Sequence, residues 1–292
     1  MSETSTTQPV TIITVCYNSM AVLPAMLATV PDGVALVLVD NASDDGTELA
    51  DCASRQGARL IRNDVNRGFG VACNQGAGIA TTEFLLFLNP DATLAPDALD
   101  ELIAAAARYP EASAMNPRIA EAGGRPYFKR SSHLMARSEK APRGWPREDC
   151  EIPVLSGAAL FVRRADFEKV GGFDPAIFLY HEDDDLGRRL REVCGPLMFI
   201  RAALVQHLGG RSSARNPEIA ALKAWHMGRS RVYAARKHGR PFAFGSAALQ
   251  SVLQLASPFN LLSKRKRAKS WNFFKGVFSE GISRELETGR AR

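Results

Sequence analysis

Glu182, Asp183, Asp184 and Asp185 are four carboxylates in a row, directly behind the apolar-aromatic, strand-like run Phe178-Leu179-Tyr180. Like charges this close repel, so they persist where a cation or a reacting group uses them, or where solvent screens them. An acidic first turn of a helix over residues 182–193 accounts for them without chemistry, because acids favour the positive end of a helix. Asp91 argues for more, since it closes a second apolar run, Phe84-Leu85-Leu86-Phe87-Leu88-Asn89-Pro90. A second acid behind an apolar run shifts the balance from a solvated helix start toward a site that uses its carboxylates.

Such acids need a scaffold. From Val10 to about His207 short apolar runs alternate with amphipathic stretches, the pattern of βα units around a mainly parallel sheet. Strands are predicted over 10–15, 35–39, 59–61, 84–88 and 197–205, and helices where Val22, Leu23, Met26, Leu27 and Val30, then Ala98, Leu99, Leu102 and Ile103, recur at helical spacing. Ligands of open α/β sheets sit beyond the carboxyl ends of strands. Those ends here carry Cys16-Tyr17-Asn18, Asp40-Asn41-Ala42-Ser43 and Asn89-Pro90-Asp91. Asp40 or Asn18 alone reads as a helix cap, but three strands ending alike read as a binding edge. Residues 66–76 bring glycines and amides to a helix start, without the complete GxGxxG after the first strand that a nicotinamide dinucleotide requires. Gly68 and Gly70 serve either tight packing or backbone approach to a ligand. Residues 123–153, rich in Gly, Pro and charge, form a long mobile loop with room for a short hairpin, of the kind that makes lids and binding segments.

Taken in chain order, Thr14-Val15-Cys16-Tyr17-Asn18-Ser19, Val39-Asp40-Asn41-Ala42-Ser43-Asp44-Asp45-Gly46-Thr47, the segment 66–76, Leu86-Phe87-Leu88-Asn89-Pro90-Asp91, Ser156-Gly157-Ala158-Ala159-Leu160, Val170-Gly171-Gly172-Phe173-Asp174, Glu182-Asp183-Asp184-Asp185-Leu186 and His207-Leu208-Gly209-Gly210 resemble the family 2 glycosyltransferases of GT-A fold, in particular their bacterial rhamnosyltransferase-like branch. The resemblance covers residues 10 to 215 and implies an α/β catalytic domain over 9–215. It implies an inverting transferase that moves a sugar from dTDP-rhamnose or a UDP-sugar to a hydroxyl of a lipid-linked or cell-surface glycan. Donor contacts then fall to Thr14, Tyr17, Asn18, Asp40, Asn41, Asn66, Gly68, Asn74, Asn89 and Gly157, with Asp40 accepting the ring N–H of a pyrimidine. Asp91 and His207, the latter on a loop after its strand, match metal-binding positions, and Mg2+ or Mn2+ is the expected cofactor. Asn89 stands where many relatives carry an acid, and an amide is a poorer ligand. Asp183 is the expected base, ionised at neutral pH, Glu182 orients the acceptor, and Asp185 serves a cap or an Arg contact. A nucleotidyltransferase of related fold would want a Gly-rich, basic loop in place of Cys16-Tyr17-Asn18-Ser19. A catalytically inactive, membrane-docked scaffold would not need Asp91, Glu182 and Asp183 together.

Charge separates the chain. Of its 292 residues with net charge +6, those from Arg229 onward carry 14 Lys and Arg against 3 Asp and Glu, whereas the preceding 228 carry 23 against 28. This basic, helical region, 216–292, points to an anionic membrane surface. A helix is predicted over 220–238, and 242–262 offers 21 largely apolar residues before Lys264-Arg265-Lys266-Arg267-Ala268-Lys269. Gln250, Gln254, Ser257, Pro258 and Asn260 favour an interfacial over a spanning helix, with Trp271, Phe273, Phe274 and Phe278 inserting at headgroup depth. The competing expectation is an amphipathic helix packed on the catalytic domain; nucleic acid is not expected, for want of a recognisable module. The five scattered cysteines lack metal or disulfide spacing and fit a reducing cytoplasm. Residues 1–8 read as a loose, disordered tail without a secretory core, which places the protein peripherally on the cytoplasmic face of the inner membrane.

Overall fold

The computed structural model describes residues 8–207, 217–261 and 263–289. Most of the predicted tail, residues 208–210 of the last motif and the expected 215/216 boundary lie outside the described residues. The predicted alternation is present as β1 (Val10–Cys16), α1 (Leu23–Leu27), β2 (Ala35–Asp40), α2 (Gly46–Arg55), β3 (Arg59–Arg62), α3 (Phe69–Ala77) and β4 (Phe84–Leu88). It continues with β5 (Ala92–Leu94), α4 (Ala98–Arg108), β6 (Ala114–Glu121), β7 (Arg125–Tyr127), β8 (Cys150–Glu151), β9 (Ala159–Arg163), α5 (Arg164–Lys169), α6 (Glu182–Val193) and β10 (Leu197–His207). The remaining described helices are α7 (Pro217–Lys237), α8 (Ala243–Ala256), α9 (Pro258–Leu261) and α10 (Lys264–Gly289).

One sheet of ten strands runs β3-β2-β1-β4-β9-β6-β10-β5, with β7 on β6 and β8 on β10. β3, β2, β1 and β4 are parallel. β6 and β10 are parallel as well, and the antiparallel members are β9, between β4 and β6, and β5, β7 and β8 at the margins. Alternate side chains of each strand enter opposite layers. Ile12, Leu38 and Leu86 pack with α1, α2 and α4, while Ile13, Val39 and Phe87 pack with α3, α5 and α6. Strands covered on both faces read as continuous apolar runs, which explains Phe84-Leu85-Leu86-Phe87-Leu88.

Three local expectations change. Residues 178–181 form no strand but a turn in which Tyr180 and His181 take positive φ values of 67° and 69°. His207 belongs to β10 itself, paired with Ala92 and Glu121, rather than to a loop beyond it. The apolar stretch 242–262 is broken at Ser257, whose extended backbone separates α8 from α9. Among the described residues no helix is long and apolar enough to cross a membrane.

The helices after β10 lie against the sheet domain. Ser230 donates to the Leu179 carbonyl at 3.0 Å, Tyr233 to Asp174 at 3.0 Å, and Ala234, Ala235 and Ala243 share a core with Leu134 and Ile177. α10 crosses α7 where Gly228 and Gly276 each meet the other helix's backbone, and a Cβ at either would overlap it. Phe273 and Val277 are buried in that crossing, and Phe278 packs edge-on against Phe244, so of the aromatics expected at a membrane Phe273 is unavailable. Trp271 is about half exposed.

Candidate active site

β1, β2 and β4 lie side by side in parallel, Cys16 facing Asp40 and Ile13 facing Phe87, so the residues after each strand gather at one edge. Thr14 is fully buried there and its hydroxyl has no hydrogen-bond partner among the described residues, while Tyr17 is exposed. Asp40, 2% exposed, accepts the Ser43 N–H at 2.9 Å and meets Arg62 Nε at 3.5 Å. Asn18, in the left-handed region, donates to Asp44 Oδ2 at 3.0 Å and accepts the Asp44 N–H at 2.7 Å. It thereby laces the two loops together. Neither Asn18 nor Asp40 caps α2, whose N-terminal boundary is Asp45.

Four residues expected at the donor are held by the protein itself. The Asn41 amide donates to Asn66 Oδ1 (2.9 Å) and the Gly68 carbonyl (3.3 Å), and accepts from Asn63 Nδ2 (3.1 Å) and the Arg67 N–H (3.0 Å), which saturates it. Asn66 Oδ1 also accepts the Gly68 N–H at 2.9 Å. Gly68 has φ 84° and faces the Phe178 carbonyl where a side chain would stand, and Phe69 N–H donates to that carbonyl at 3.1 Å. Asn74 binds the Phe173 carbonyl and N–H, both at 2.8 Å. The glycines and amides of residues 66–76 thus close α3 onto the 173–178 loop, and of the two purposes open at Gly68 packing is the one observed.

Asp91, 1% exposed, stands just beyond β4 with His207 Nε2 3.2 Å from its Oδ1 and Asn89 Nδ2 3.5 Å from the same imidazole nitrogen. The other ring nitrogen of His207 is buried with no hydrogen-bond partner among the described residues. This pair fits a divalent cation. Ligands bound at about 2.1 Å and at right angles lie about 3 Å apart, close to the observed separation of carboxylate oxygen and imidazole nitrogen. His133, His181 and Asp184 also bring ligand atoms within 4.8 Å of one another. There, however, Lys129 Nζ already lies 2.9 Å from Asp184, so an ammonium crowds any cation.

The turn at 178–181 delivers the first turn of α6 to the same edge. Asp183 Oδ2 accepts the Gly157 N–H at 3.0 Å and Lys129 Nζ at 2.6 Å, and its Oδ1 accepts the Asp184 N–H at 2.9 Å. One residue on, Ala158 accepts the Asn89 N–H at 3.0 Å, and β9 pairs Ala159 with Leu88. A strand start therefore joins the acid after β4 to the acid of α6. Glu182 is 8% exposed with an Oε2 lacking a hydrogen-bond partner among the described residues. Burial first, and the Asp183 charge second, raise its carboxyl to about 8. Burial pushes Asp184 the same way, but Lys129 and His181 hold it well below the usual carboxylate range. Asp185 makes the expected arginine contact, with Arg189 at 2.7 Å. It also binds Lys237, the last residue of α7, at 2.8 Å and His238, just after it, at 2.7 Å.

Lys129, His133 and His181 were not singled out from the sequence. Lys129 and His133 fall in the segment without periodicity, and only folding brings Lys129 to acids 54 positions away. Lys223 of α7 also reaches the site, where the Asp91 charge partly offsets the effect of its burial. 

Comparison with known proteins gives this geometry its context. The profile described as Glycosyl transferase family 2 matches residues 11–171. An N-acetylglucosaminyl-diphospho-decaprenol L-rhamnosyltransferase of Mycobacterium tuberculosis is 33% identical over 269 residues, spanning 80% of this chain and 87% of that protein. The mannosyltransferase PcManGT from Pyrobaculum calidifontis, solved with GDP-Man and Mn2+, superposes with a TM-score of 0.59 at 17% identity, covering 94% of this chain and 87% of its own. Staphylococcus aureus TarS with UDP-GlcNAc gives 0.54 at 16% identity over 94% and 91%. These likenesses show that the fold is GT-A.

Proposed function

Since this chain belongs to glycosyl transferase family 2, and is a glycosyltransferase, we propose that it carries a hexose, rhamnose in the first instance, from a pyrimidine nucleotide diphosphate to a hydroxyl of a lipid-linked glycan with inversion at the anomeric carbon. One observation carries the proposal: hydrogen bonds tie Asp183 to Gly157 and Asn89, two residues before Asp91, to Ala158 at one strand start, which supports reading Asp183 as the base and Asp91 as the cation-binding acid of one site. The relative in Mycobacterium tuberculosis, by its name, rhamnosylates an N-acetylglucosaminyl-diphospho lipid, and that is the acceptor class assigned here.

Asp40 accepts the ring N–H of uracil or thymine while the orphaned Thr14 hydroxyl and the Tyr17 ring line the same pocket. Asn41, Asn66 and Gly68 keep the wall of that pocket in place. Asp91 and His207 would hold Mg2+ or Mn2+, which supplies charge neutralisation for the departing diphosphate. Asp183 takes the acceptor proton as the hydroxyl attacks from the face opposite the leaving group. Glu182, whose raised carboxyl keeps its proton at neutral pH, donates a hydrogen bond that orients the acceptor, so two adjacent acids serve two roles through their surroundings. Lys129, 2.6 Å from its Oδ2, holds the Asp183 carboxylate in place.

A panel of dTDP- and UDP-sugars with Mg2+ or Mn2+, read by thermal stabilisation and donor hydrolysis, tests the donor. Metal-dependent stabilisation by a dTDP- or UDP-sugar is expected. Stabilisation by purine nucleotide sugars alone would overturn the base assignment at Asp40.

A further inference from the structure

A cavity of about 760 Å³ opens between the 131–140 segment and helices α7 and α8, a size suited to a small ligand. Arg137, Lys140, Arg231 and Arg240 line it, and no Asp or Glu does. Glu139, which the chain places between two of these cations, turns away to Arg191 at 3.0 Å and to the Ala136 N–H at 2.8 Å. Among the described residues none of the four cations has an acidic partner within ion-pair distance; Arg240 donates only to the Met135 carbonyl, at 3.2 Å. Arg231 is partly buried, burial disfavours its charge, and no acid offsets that cost. Cations gathered without counter-charge in a concave site concentrate an anion, and guanidinium forks match phosphate geometry.

Ser246 lines this cavity and also a groove of about 460 Å³ along α8, where Leu249 and Leu253 alternate with Gln250 and Gln254. Leu249, Val252 and Leu253 are exposed, the last two lying three and four residues after the first on the same side of α8. A cationic chamber thus runs into an apolar channel, which is the outline of an amphiphile with an anionic head. One lining residue, His133, links the cavity to the acids of α6 through a chain of contacts. It lies 4.3 Å ring to ring from His181, and His181 binds Asp184, which shares Lys129 with Asp183.

We propose that this cavity seats the diphosphate of an isoprenoid-diphosphate-linked acceptor, with its hydrocarbon laid on the α8 groove and its first sugar presented to Asp183. The assignment rests on the lipid-linked acceptor proposed for the same site. It adds Arg137, Lys140, Arg231 and Arg240 as residues that select a diphosphate-bearing lipid over a neutral glycolipid.

Equilibrium binding of farnesyl diphosphate to the full chain, in chelator and without donor, tests the cavity independently of turnover. Arg231→Gln with Arg240→Gln should weaken binding by about tenfold or more through the loss of two charge-assisted contacts. Arg231→Lys should retain much of it, and Lys140→Gln, at an exposed position, should give a smaller loss in the same direction. Unchanged affinity in a variant with wild-type melting temperature would overturn the proposal. So would displacement of farnesyl diphosphate by dTDP or UDP, which would put the probe in the donor pocket, or equal competition by phosphatidylglycerol vesicles, which would make the chamber a general anionic-lipid contact. Failure of the nucleotide-sugar panel with farnesyl diphosphate binding intact would remove the donor reading and leave the cavity standing.

Discussion

Asp183 is met by three donors from three parts of the chain: the Lys129 ammonium, the Gly157 N–H and the Asp184 N–H. Asp183→Asn keeps the shape and loses the proton acceptor, so transfer should fall by about a hundredfold or more while nucleotide-sugar binding, read by thermal shift, is retained; wild-type turnover would exclude Asp183 as base. Glu182 obeys the opposite logic. Its folded carboxyl is raised to about 8, above the unfolded value, so the native state holds a proton that the unfolded chain releases, and stability declines as pH climbs from the ordinary carboxylate range toward 8. Glu182→Gln should therefore raise the melting temperature at pH 8 and leave it unchanged near pH 4, and a pH-independent difference would contradict this environment. Asp91, His207 and Asp183, the residues proposed for the site, stand out in the sequence because each follows an apolar run. Lys129 was not, because a cation in a segment without periodicity acquires meaning only from distant partners.

Helix α6 is held by its second turn as much as by its first. Asp185 is fully buried, and Arg189, Lys237 and His238 converge on it. Burial alone would raise its carboxyl, but hydrogen bonds from His238 and Lys237 and the Arg189 charge bring it down to about 2. A carboxyl depressed on folding stabilises the protein above its unfolded pKa, and that contribution fades as pH drops toward 2. Asp185→Ala should cost about 3–5 kcal/mol, the usual penalty for breaking a buried ion pair, measured by denaturant unfolding at neutral pH, with a smaller difference at pH 2. Gly276→Leu should separate α10 from α7, because its side chain would enter the Trp225 backbone. The patterns of Ala98–Arg108 and Glu182–Val193 are readable as helix, whereas residues 178–181 mislead: an aromatic-rich run looks like a strand until two left-handed residues turn it.

At the scale of the molecule, the 14 Lys and Arg against 3 acids from Arg229 onward serve more than one purpose, and Arg229 and Arg236 join α7 to α10 at Glu280. Lys237 docks α7 on Asp185, Arg231 and Arg240 line the cavity, and residues 264–269 open α10 at exposed positions. We expect the last group, with the exposed α8 face, to meet anionic membrane at up to about 1 kcal/mol per basic residue. Replacing Lys264, Arg265, Lys266, Arg267 and Lys269 by Gln should abolish co-sedimentation with phosphatidylglycerol vesicles at low salt, and raised ionic strength should mimic this in the wild type. Composition disclosed the charge asymmetry but not its partition, since that depends on which cations find acids after folding. Lys237 closes α7 and His238 follows it on Asp185, two residues past Asp183, with α8 beginning five residues later at Ala243. A load taken up on the α8 face would have a short lever to α6: vesicles should slow hydrogen exchange at Leu190 and Val193, and Asp185→Asn should silence that message while leaving vesicle capture intact.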